Sequence, residues 1–281
     1  MGTLYIVSTP MGNLEDITLR ALRILGQVEL VATEDTRTTG RLLKHFNISR
    51  PLVSFHEYSK PSQVTRIFEV LNQGDVAIVS EAGTPLFSDP GYELVRAAIK
   101  QGYKIVSIPG PSALTAALPV SGLPTDSFFF LGFLPRKEKM RRRLLAEVAT
   151  QRVTLVFFEA PHRLLASLKN MVDVLGPERL VAVCRELTKL HEEVWRGTLL
   201  EAYHEWQERP PRGEFTLVVA GDNSPPEVWA EEQVVQAVKK LIGTGATSNV
   251  AAKQVADQSG WTKKAVYALA IQVKKDDNFK K

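Results

Sequence analysis

The chain has 281 residues, a length at which a single hydrophobic core usually stops growing, so we expect two domains and a small appendix. The formal charge of +4 and the pI of about 9.1 suit a phosphate-carrying partner as well as many ordinary enzymes. The single cysteine, Cys184, excludes an internal disulfide and a thiolate-rich metal site. The five histidines lack ligand spacing, so we expect no metal.

Hydropathy along the chain gives no sign of a membrane span. No uninterrupted apolar run approaches the about 18 residues that a spanning helix needs. The first residues are apolar only briefly and contain no basic leader. We therefore expect a soluble, cytoplasmic protein.

Short β-rich runs alternate with helical patterns in the first part of the chain. The predicted strands are 3–9, 28–33, 75–80 and 104–110, and the predicted helices are 18–25, 37–46 and 91–101. Strands bounded by glycine and proline that alternate with helices indicate a mainly parallel sheet covered on both faces.

A second set of apolar runs begins after SGLPT at 121–125 and indicates a second α/β domain. Its predicted strands are 127–133, 153–160, 179–187, 192–199 and 214–221. The linker DNSPPE at 222–227 then leads into a helical tail. The predicted domains are 1–120, 121–222 and, for linker and tail, 223–281.

The tail carries two amphipathic patterns separated by a break at Ser259-Gly260, which is typical of a helix-turn-helix arrangement. Two interpretations remain open. The hairpin packs against protein, either the body of the chain or a partner subunit, or it contacts nucleic acid directly.

Three loops follow predicted strands: STPMGNLEDIT at 8–18, SEAGTPLFSDPG at 80–91 and PGPSALTAAL at 109–118. Ligands in open α/β sheets bind at the carboxyl ends of strands, so these loops are able to line one crevice. None contains a P-loop or a G-x-G-x-x-G pattern, which disfavours both nucleotide fingerprints. The alternative is that their glycines and prolines only form turns.

Five motifs carry a family resemblance: STPMGNLEDITLRAL, ATEDTRTTGRLL, VSEAGTPLFSDPG, IPGPSALTAALPVSGLPT and FFEAPHRL. In this order and spacing they resemble the ribosomal RNA small subunit methyltransferase I family, the RNA-modifying branch of the tetrapyrrole methylase superfamily. The resemblance covers roughly residues 1–222 and is weaker in the tail. It implies an α/β, two-domain, tetrapyrrole-methylase-like (class III) methyltransferase with a small helical C-terminal appendix.

The resemblance also implies function and partners. Members of the family use S-adenosylmethionine to methylate the ribose 2′-hydroxyl of a cytidine in the decoding region of 16S, small-subunit ribosomal RNA. We therefore expect ribosomal RNA or the 30S subunit as substrate and a homodimeric assembly.

Matching the motifs residue by residue implies a set of cofactor contacts around the predicted crevice. The set comprises Pro10, Ala82, Gly83, Thr84, Phe87, Ser112, Ala113, Phe158, Glu159, Thr216 and Leu217. Two positions depart from the superfamily pattern. The first loop keeps only a proline and a glycine of Gly-x-Gly-Pro-Gly, and Thr84 replaces the usual aspartate.

Methyl transfer to a ribose hydroxyl requires alignment of the reacting atoms and benefits from a base that accepts the proton. The candidate catalytic residues are Asp35, His56 and Glu81, with Glu34 and Glu57 in the same loops. The alternatives are that Asp35 caps a helix and that His56 is a surface histidine. Both Glu81 and Asp89 either orient the substrate or brace their loop.

Basic residues are candidates for gripping RNA. The run RKEKMRRR at 136–143 begins a predicted helix, and phosphate contacts from it would make binding salt-dependent. The predicted substrate-binding residues are Arg37, Arg136, Lys137, Arg141, Arg142 and Arg163. The alternatives are a solvated helix face for the run, an ion pair with Glu159 for Arg163, and a solvated strand end for Glu186, a further candidate contact.

Three functions stay open on the residues: a ribosomal RNA ribose methyltransferase, a methylase of a small tetrapyrrole-like molecule, and a non-catalytic RNA-binding protein. The basic run and the helical tail favour RNA over a small macrocycle.

Overall fold

The computed structural model describes residues 1–56, 61–89, 91–224 and 229–278, with side chains described as far as 274. The chain forms two compact units, Met1–Asp222 and Asn223–Lys281. None of the helices in the described ranges combines the length and the apolar character that a membrane crossing requires.

A five-stranded sheet forms the first layer of the larger unit. Its strands are β1 (Thr3–Val7), β2 (Leu30–Thr33), β3 (Leu52–Ser54), β4 (Val76–Val79) and β5 (Lys104–Ile108). The order is β3-β2-β4-β1-β5, and every neighbouring pair is parallel. The continuous apolar runs in β2 and β4 are buried throughout, as expected for strands covered on both faces. The predicted parallel sheet is confirmed.

Four helices cover this sheet on both faces: α1 (Leu19–Leu25), α2 (Thr36–His45), α3 (Pro61–Leu71) and α4 (Tyr92–Lys100). Helices α1 and α2 pack into one apolar cluster and α3 and α4 into another. Strand β3 and helix α3 were not predicted. A three-residue strand is too short to show a recognisable alternation.

The second sheet is mixed rather than parallel. Its strands are β6 (Phe128–Phe133), β7 (Thr154–Glu159), β8 (Leu180–Arg185), β9 (Glu193–Thr198) and β10 (Phe215–Val219), and all five were predicted. The order is β6-β7-β10-β8-β9, with β6 and β7 parallel and the other pairs antiparallel.

Four helices pack on this second sheet: α5 (Ala113–Ser121), α6 (Glu138–Val148), α7 (Leu164–Leu175) and α8 (Leu199–Glu208). One face of the sheet shares a core with α6, α7 and α8, and α5 covers the opposite face. Helix α5 thus packs on the second sheet although the predicted boundary at 120 assigns it to the first domain. Leu114 and Leu118 explain this placement, since their buried side chains contact apolar residues of β7, β8 and β10.

The smaller unit is helical, with α9 (Glu231–Gly243), α10 (Ser248–Ser259) and α11 (Lys263–Asn278) around a core of valines and alanines. The break at Ser259-Gly260 separates α10 from α11, and Gly260 adopts a φ of 68° that favours glycine. The two tail patterns therefore correspond to two packed helices, with α9 as a third member.

Candidate active site

A cleft of about 370 Å³ lies at the carboxyl edge of the first sheet, and the second sheet closes its other side. Loops after β1, β2 and β4 and the start of α5 supply one wall. The ends of β6 and β7 and the beginning of β10 supply the other. The lining residues are Met11, Glu34, Glu81, Ala82, Gly83, Thr84, Phe87, Asp89, Ser112, Ala113, Phe133, Phe158, Glu159, Ala160, Pro161, Glu214, Phe215 and Thr216.

Hydrogen bonds join the three loops that follow β1, β4 and β5. The backbone of Thr9 exchanges two hydrogen bonds with that of Gly83, at 2.8 and 2.9 Å. The Thr84 hydroxyl donates to the carbonyl of Pro111 at 3.0 Å and lies 2.9 Å from the Ser8 hydroxyl. The expected single crevice is therefore built by direct contacts between the loops, and Thr84 contributes as a connector.

Helix α5 presents its amino terminus to the cleft. Its N-cap residue, Ser112, makes no side-chain capping hydrogen bond, and both Ser112 and Ala113 line the cleft. The first N–H groups of a helix have no partner within the helix and favour negative charge. This end of the cleft is suited to a carboxylate or phosphate.

A row of phenylalanine rings forms the apolar wall. Phe158 lies 4.9 Å from Phe130 and 5.7 Å from Phe133 between ring centroids, and Phe130 lies 6.1 Å from Phe87. Phe133 and Phe87 remain 52% and 45% exposed, so their faces are available to a ligand. Phe133 is absent from the site residues predicted from the sequence. The aromatic run SFFFLGF, which was used there only to predict a strand, is the sequence signal that could have identified it.

Three carboxylates meet in the cleft: Glu34, Glu81 and Asp89. Burial, followed by the charges of Asp89 and Glu81, raises the pKa of Glu34 to about 7. Burial also raises the pKa of Asp89 to about 6, with Glu81 acting in the same direction and the Ser80 hydroxyl against it. Groups with pKa values near neutrality are suited to exchange protons during catalysis.

Asp35 and Arg37 do not line this cleft. The Asp35 carboxylate caps α2 by accepting from the backbone N–H of Arg37 at 2.8 Å, and the two side chains form an ion pair at 3.4 Å. These contacts lower the pKa of Asp35, which makes it a weaker base. The capping alternative is therefore the one observed, and Glu34, one residue earlier, takes the position in the cleft.

His56 lies in a neighbouring pocket with Phe55, Tyr92 and Asp89 rather than in the cleft itself. Asp89 lines both cavities. Glu57, the adjacent candidate, lies outside the described residues. Glu81 is the predicted catalytic residue that the structure does bring into the cleft.

Glu159 lines the cleft but its carboxylate is used internally. The side chain is buried and accepts hydrogen bonds from the Ala160 N–H and the Ser167 hydroxyl. Arg163 lies 3.2 Å from the same carboxylate and also donates to the carbonyl of Leu134. The ion-pair alternative for Arg163 is therefore observed, and this pair anchors the end of β7 to α7.

Two other predicted cofactor contacts fall outside the cleft. Leu217 is fully buried in the core shared with α6, α7 and α8, because successive residues of a strand point to opposite faces. Its neighbour Thr216 faces the cleft. Pro10 is buried beside an adjoining groove, and Met11 lines the cleft in its place.

Half of the basic residues in the run at 136–143, namely Arg141, Arg142 and Arg143, have partners within the protein. Arg141 is only 5% exposed and donates to Asn170 at 2.7 Å and to the carbonyls of Pro135 and Arg136. Arg142 pairs with Asp173 at 2.7 Å. Arg141 is therefore a structural residue and not an RNA contact, whereas Arg136 and Lys137 are exposed.

Glu186 is also tied into the protein. Its carboxylate lies 2.8 Å from the Lys189 ammonium and accepts from the Glu214 N–H at 2.9 Å. Burial opposes ionisation, yet these partners keep the pKa of Glu186 below its usual value. Within the described ranges, no group of three or more acidic, histidine or cysteine side chains is placed to hold a metal ion.

Comparison with known proteins shows the family and the fold to which the chain is similar. The sequence profile of the Tetrapyrrole (Corrin/Porphyrin) Methylases family matches residues 3–203. Solved methyltransferases share the fold. Cobalt precorrin-4 methyltransferase has a TM-score of 0.58 at 18% identity, covering 78% of this chain and 94% of that one. Uroporphyrin-III C-methyl transferase from Thermus thermophilus, complexed with S-adenosyl homocysteine, has a TM-score of 0.54 at 19% identity and covers 79% and 98%.

Sequence identity is higher to curated relatives named ribosomal RNA small subunit methyltransferase I than to these solved structures. The relative from Halalkalibacterium halodurans is 49% identical over 96% of this chain and 95% of its own length. The relative from Synechocystis is 44% identical over 98% and 100%. The chain therefore belongs to the tetrapyrrole methylase family and, within it, to the ribosomal RNA small subunit methyltransferase I group. It is a methyltransferase, as the sequence motifs predict.

Proposed function

We propose that this protein transfers the methyl group of S-adenosylmethionine to the ribose 2′-hydroxyl of a cytidine in the decoding region of 16S, small-subunit ribosomal RNA. The observation that carries the proposal is the near-full-length identity to relatives named for ribosomal RNA small subunit methylation. The choice of cytidine, of the 2′-oxygen and of the decoding region rests on the family resemblance of the five sequence motifs.

The cleft residues fit the donor's chemical groups. S-adenosylmethionine carries a carboxylate, an ammonium, a positively charged sulfur and an adenine ring, and it supplies an electrophilic methyl group when bound. The uncapped start of α5 at Ser112 and Ala113 is suited to the carboxylate. The exposed phenylalanines suit the adenine, and the carboxylates of the cleft suit the cationic groups.

Residues of the β4 loop hold the ligand through close backbone approach. Gly83 has a φ of +77°, a conformation that residues with a side chain rarely adopt, and its backbone is fixed by Thr9. The holding residues are Ala82, Gly83, Thr84, Phe87, Ser112, Ala113, Phe158 and Thr216. Their role is to align the donor and to exclude water, which together contribute several kcal/mol to such reactions.

Glu34 accepts the proton that the ribose hydroxyl loses. It lies in the cleft, and a base whose pKa is about 7 is half ionised near neutral pH. Glu81 and Asp89 tune this group, since their negative charges favour its protonated form. General bases of this kind contribute roughly 10²–10⁴ to the rate.

The proposal also covers the substrate, the oligomeric state and the cellular location of the protein. The substrate is ribosomal RNA or the 30S subunit, the assembly is a homodimer and the protein acts in the cytoplasm. These statements rest on the family resemblance, and the curated relatives' name supports the ribosomal substrate.

The decisive experiment is to map methylated nucleotides in ribosomal RNA from cells with and without this protein. We expect one 2′-O-methyl cytidine in the decoding region to disappear with the protein. An unchanged pattern would overturn the proposal. Purified protein with labelled S-adenosylmethionine should transfer the label to 30S subunits or to naked small-subunit RNA. Transfer only to an acidic tetrapyrrole would favour the small-molecule alternative. An absence of cofactor binding would favour an RNA-binding protein without catalysis.

A further inference from the structure

A groove of about 430 Å³ adjoins the reaction cleft along helix α2. Met11, Glu81 and Ala82 line both cavities, so the groove and the cleft share a wall. The floor of the groove is mainly apolar and is formed by the loop after β1. One side of the groove is helix α2, which contributes Thr38, Thr39, Arg41, Leu42 and His45.

Helix α2 carries a stripe of positive charge beside this groove. Arg37, Arg41 and Lys44 are all exposed, at spacings of four and seven residues from Arg37, which place them on one face of the helix. Arg41 lines the groove, and Lys44 lies beside it on the adjoining surface of α2. Asp35 forms an ion pair with Arg37, which is still 86% exposed. Among the ion pairs of the described residues, none involves Arg41 or Lys44.

The basic run at 136–143 contrasts with this stripe. Three of its arginines are occupied by Asn170, Asp173 and Glu147. A cation that is already paired must give up that partner to bind a phosphate, so the unpaired cations of α2 are the better phosphate ligands.

We infer that the α2 groove binds the strand of RNA next to the methylated nucleotide, with a base on the apolar floor and a phosphate on Arg41 at the edge of the groove. The RNA backbone then continues over Lys44, which is exposed on the adjoining surface of α2. This inference rests on the proposed function. Proteins that select one nucleotide in RNA mostly recognise single-stranded segments, whose unstacked bases are held well by a cationic edge combined with an apolar surface. The groove offers an apolar floor and the Arg41 cation on α2, next to the wall that it shares with the cleft.

The test compares three double substitutions that each remove one arginine and one lysine charge. Arg41→Gln with Lys44→Gln, called the groove variant, removes the charge at the edge of the groove and the charge on the adjoining surface of α2. Arg96→Gln with Lys100→Gln is the charge-matched control on the exposed face of α4. Arg136→Gln with Lys137→Gln, called the α6 variant, probes the rival surface at the residues just before α6. Affinity for a decoding-region RNA fragment is measured by fluorescence anisotropy at several salt concentrations, and affinity for S-adenosylmethionine by calorimetry.

We expect the groove variant to bind RNA at least tenfold more weakly at about 0.1 M salt and the slope of log Kd against log salt to fall by about 1.4, the value for two single-strand phosphate contacts. The α4 control keeps the wild-type slope, and all variants keep cofactor affinity within about twofold. Unchanged RNA affinity in the groove variant, or a loss confined to the α6 variant, would overturn the inference. If the wild-type protein neither binds nor methylates RNA, the proposed function itself fails; if it methylates RNA and the groove variant matches it, only the inference fails.

Discussion

The free energy of unfolding of this protein should fall as the pH rises from 5 to 8, and replacement of Glu34 by glutamine should remove much of that fall. Burial and the neighbouring carboxylates raise the pKa of Glu34 from 4.5 to about 7. The folded protein therefore holds a proton that the unfolded chain has released. This contribution to stability is complete below pH 4.5 and is lost as the pH rises through 7.

The size of the effect follows from the same shift. At about 1.36 kcal/mol per pH unit, a rise from 4.5 to about 7 corresponds to an upper limit of ~3.4 kcal/mol. Glu34 is only partly buried, and solvent screens its interactions, so we expect roughly 1–2 kcal/mol. The glutamine side chain does not ionise, so the contribution of residue 34 to the pH dependence of stability disappears in the variant. Asp89, whose pKa is also raised, leaves a smaller pH dependence of stability in both proteins.

Urea denaturation at pH 5, 6, 7 and 8 measures this difference directly. The free energy of unfolding of the wild type should fall by roughly 1–2 kcal/mol more than that of Glu34→Gln over this range. Glu147→Gln, an exposed glutamate on α6 paired with Arg143, is the control and should follow the wild type. Parallel pH profiles for the wild type and Glu34→Gln would refute the raised pKa of Glu34.

Further predictions concern the reaction, the cleft and the basic run. Methyl transfer by the wild type should increase with pH towards about 7, and Glu34→Gln should lower kcat by roughly 10²–10⁴; a flat pH profile would exclude Glu34 as the base. Gly83→Val should weaken cofactor binding at least tenfold, as measured by calorimetry. Gly102→Val should leave it unchanged, since Gly102 has a similar φ of +80° but a Cβ added there meets no atom within 4 Å. Equal cofactor affinities of the two variants would show that the cofactor does not bind beside Gly83. Arg141→Ala should cost about 2–3 kcal/mol of stability and Arg143→Ala less than about 0.5, because only Arg141 is buried among hydrogen bonds; similar urea midpoints would contradict this.

The architecture of the larger unit was largely predictable because its strands are local signals. Apolar runs of strand length between glycine, proline and helical patterns are set by neighbouring residues. These runs correspond to nine of the ten strands found in the described part of the chain. The exception, β3, has three residues. Strand direction was less accessible. The second sheet is mainly antiparallel, and pairing direction depends on contacts between distant segments.

The cleft was predictable as a set of loops but not as a set of side chains. Gly83, Thr84, Ser112 and Ala113 line it as predicted, because loops at the carboxyl ends of parallel strands must meet at one edge. Phe133 was missed because it belongs to the second sheet, and its proximity to the β4 loop arises only when the two sheets come together.

The role of each charged residue depended on its partners. Glu34 and Asp35 are adjacent in the sequence, yet one lines the cleft with a raised pKa and the other caps α2 with a lowered one. Arg141 is buried, while Arg41, outside the conspicuous basic run, lines the groove. A run of charges reveals how many cations are present, but only folding decides which carboxylates and carbonyls they meet.

The sequence by itself determined the strand and helix pattern, the three loops at the edge of the first sheet and the family to which the chain belongs. These features depend on residue periodicity and on short motifs, which are read along the chain. Tertiary structure decided the mixed second sheet, the aromatic wall, the three-carboxylate cluster and the division of arginines between structural and exposed positions. Each of these depends on distances between residues far apart in sequence, and burial and charge act through those distances.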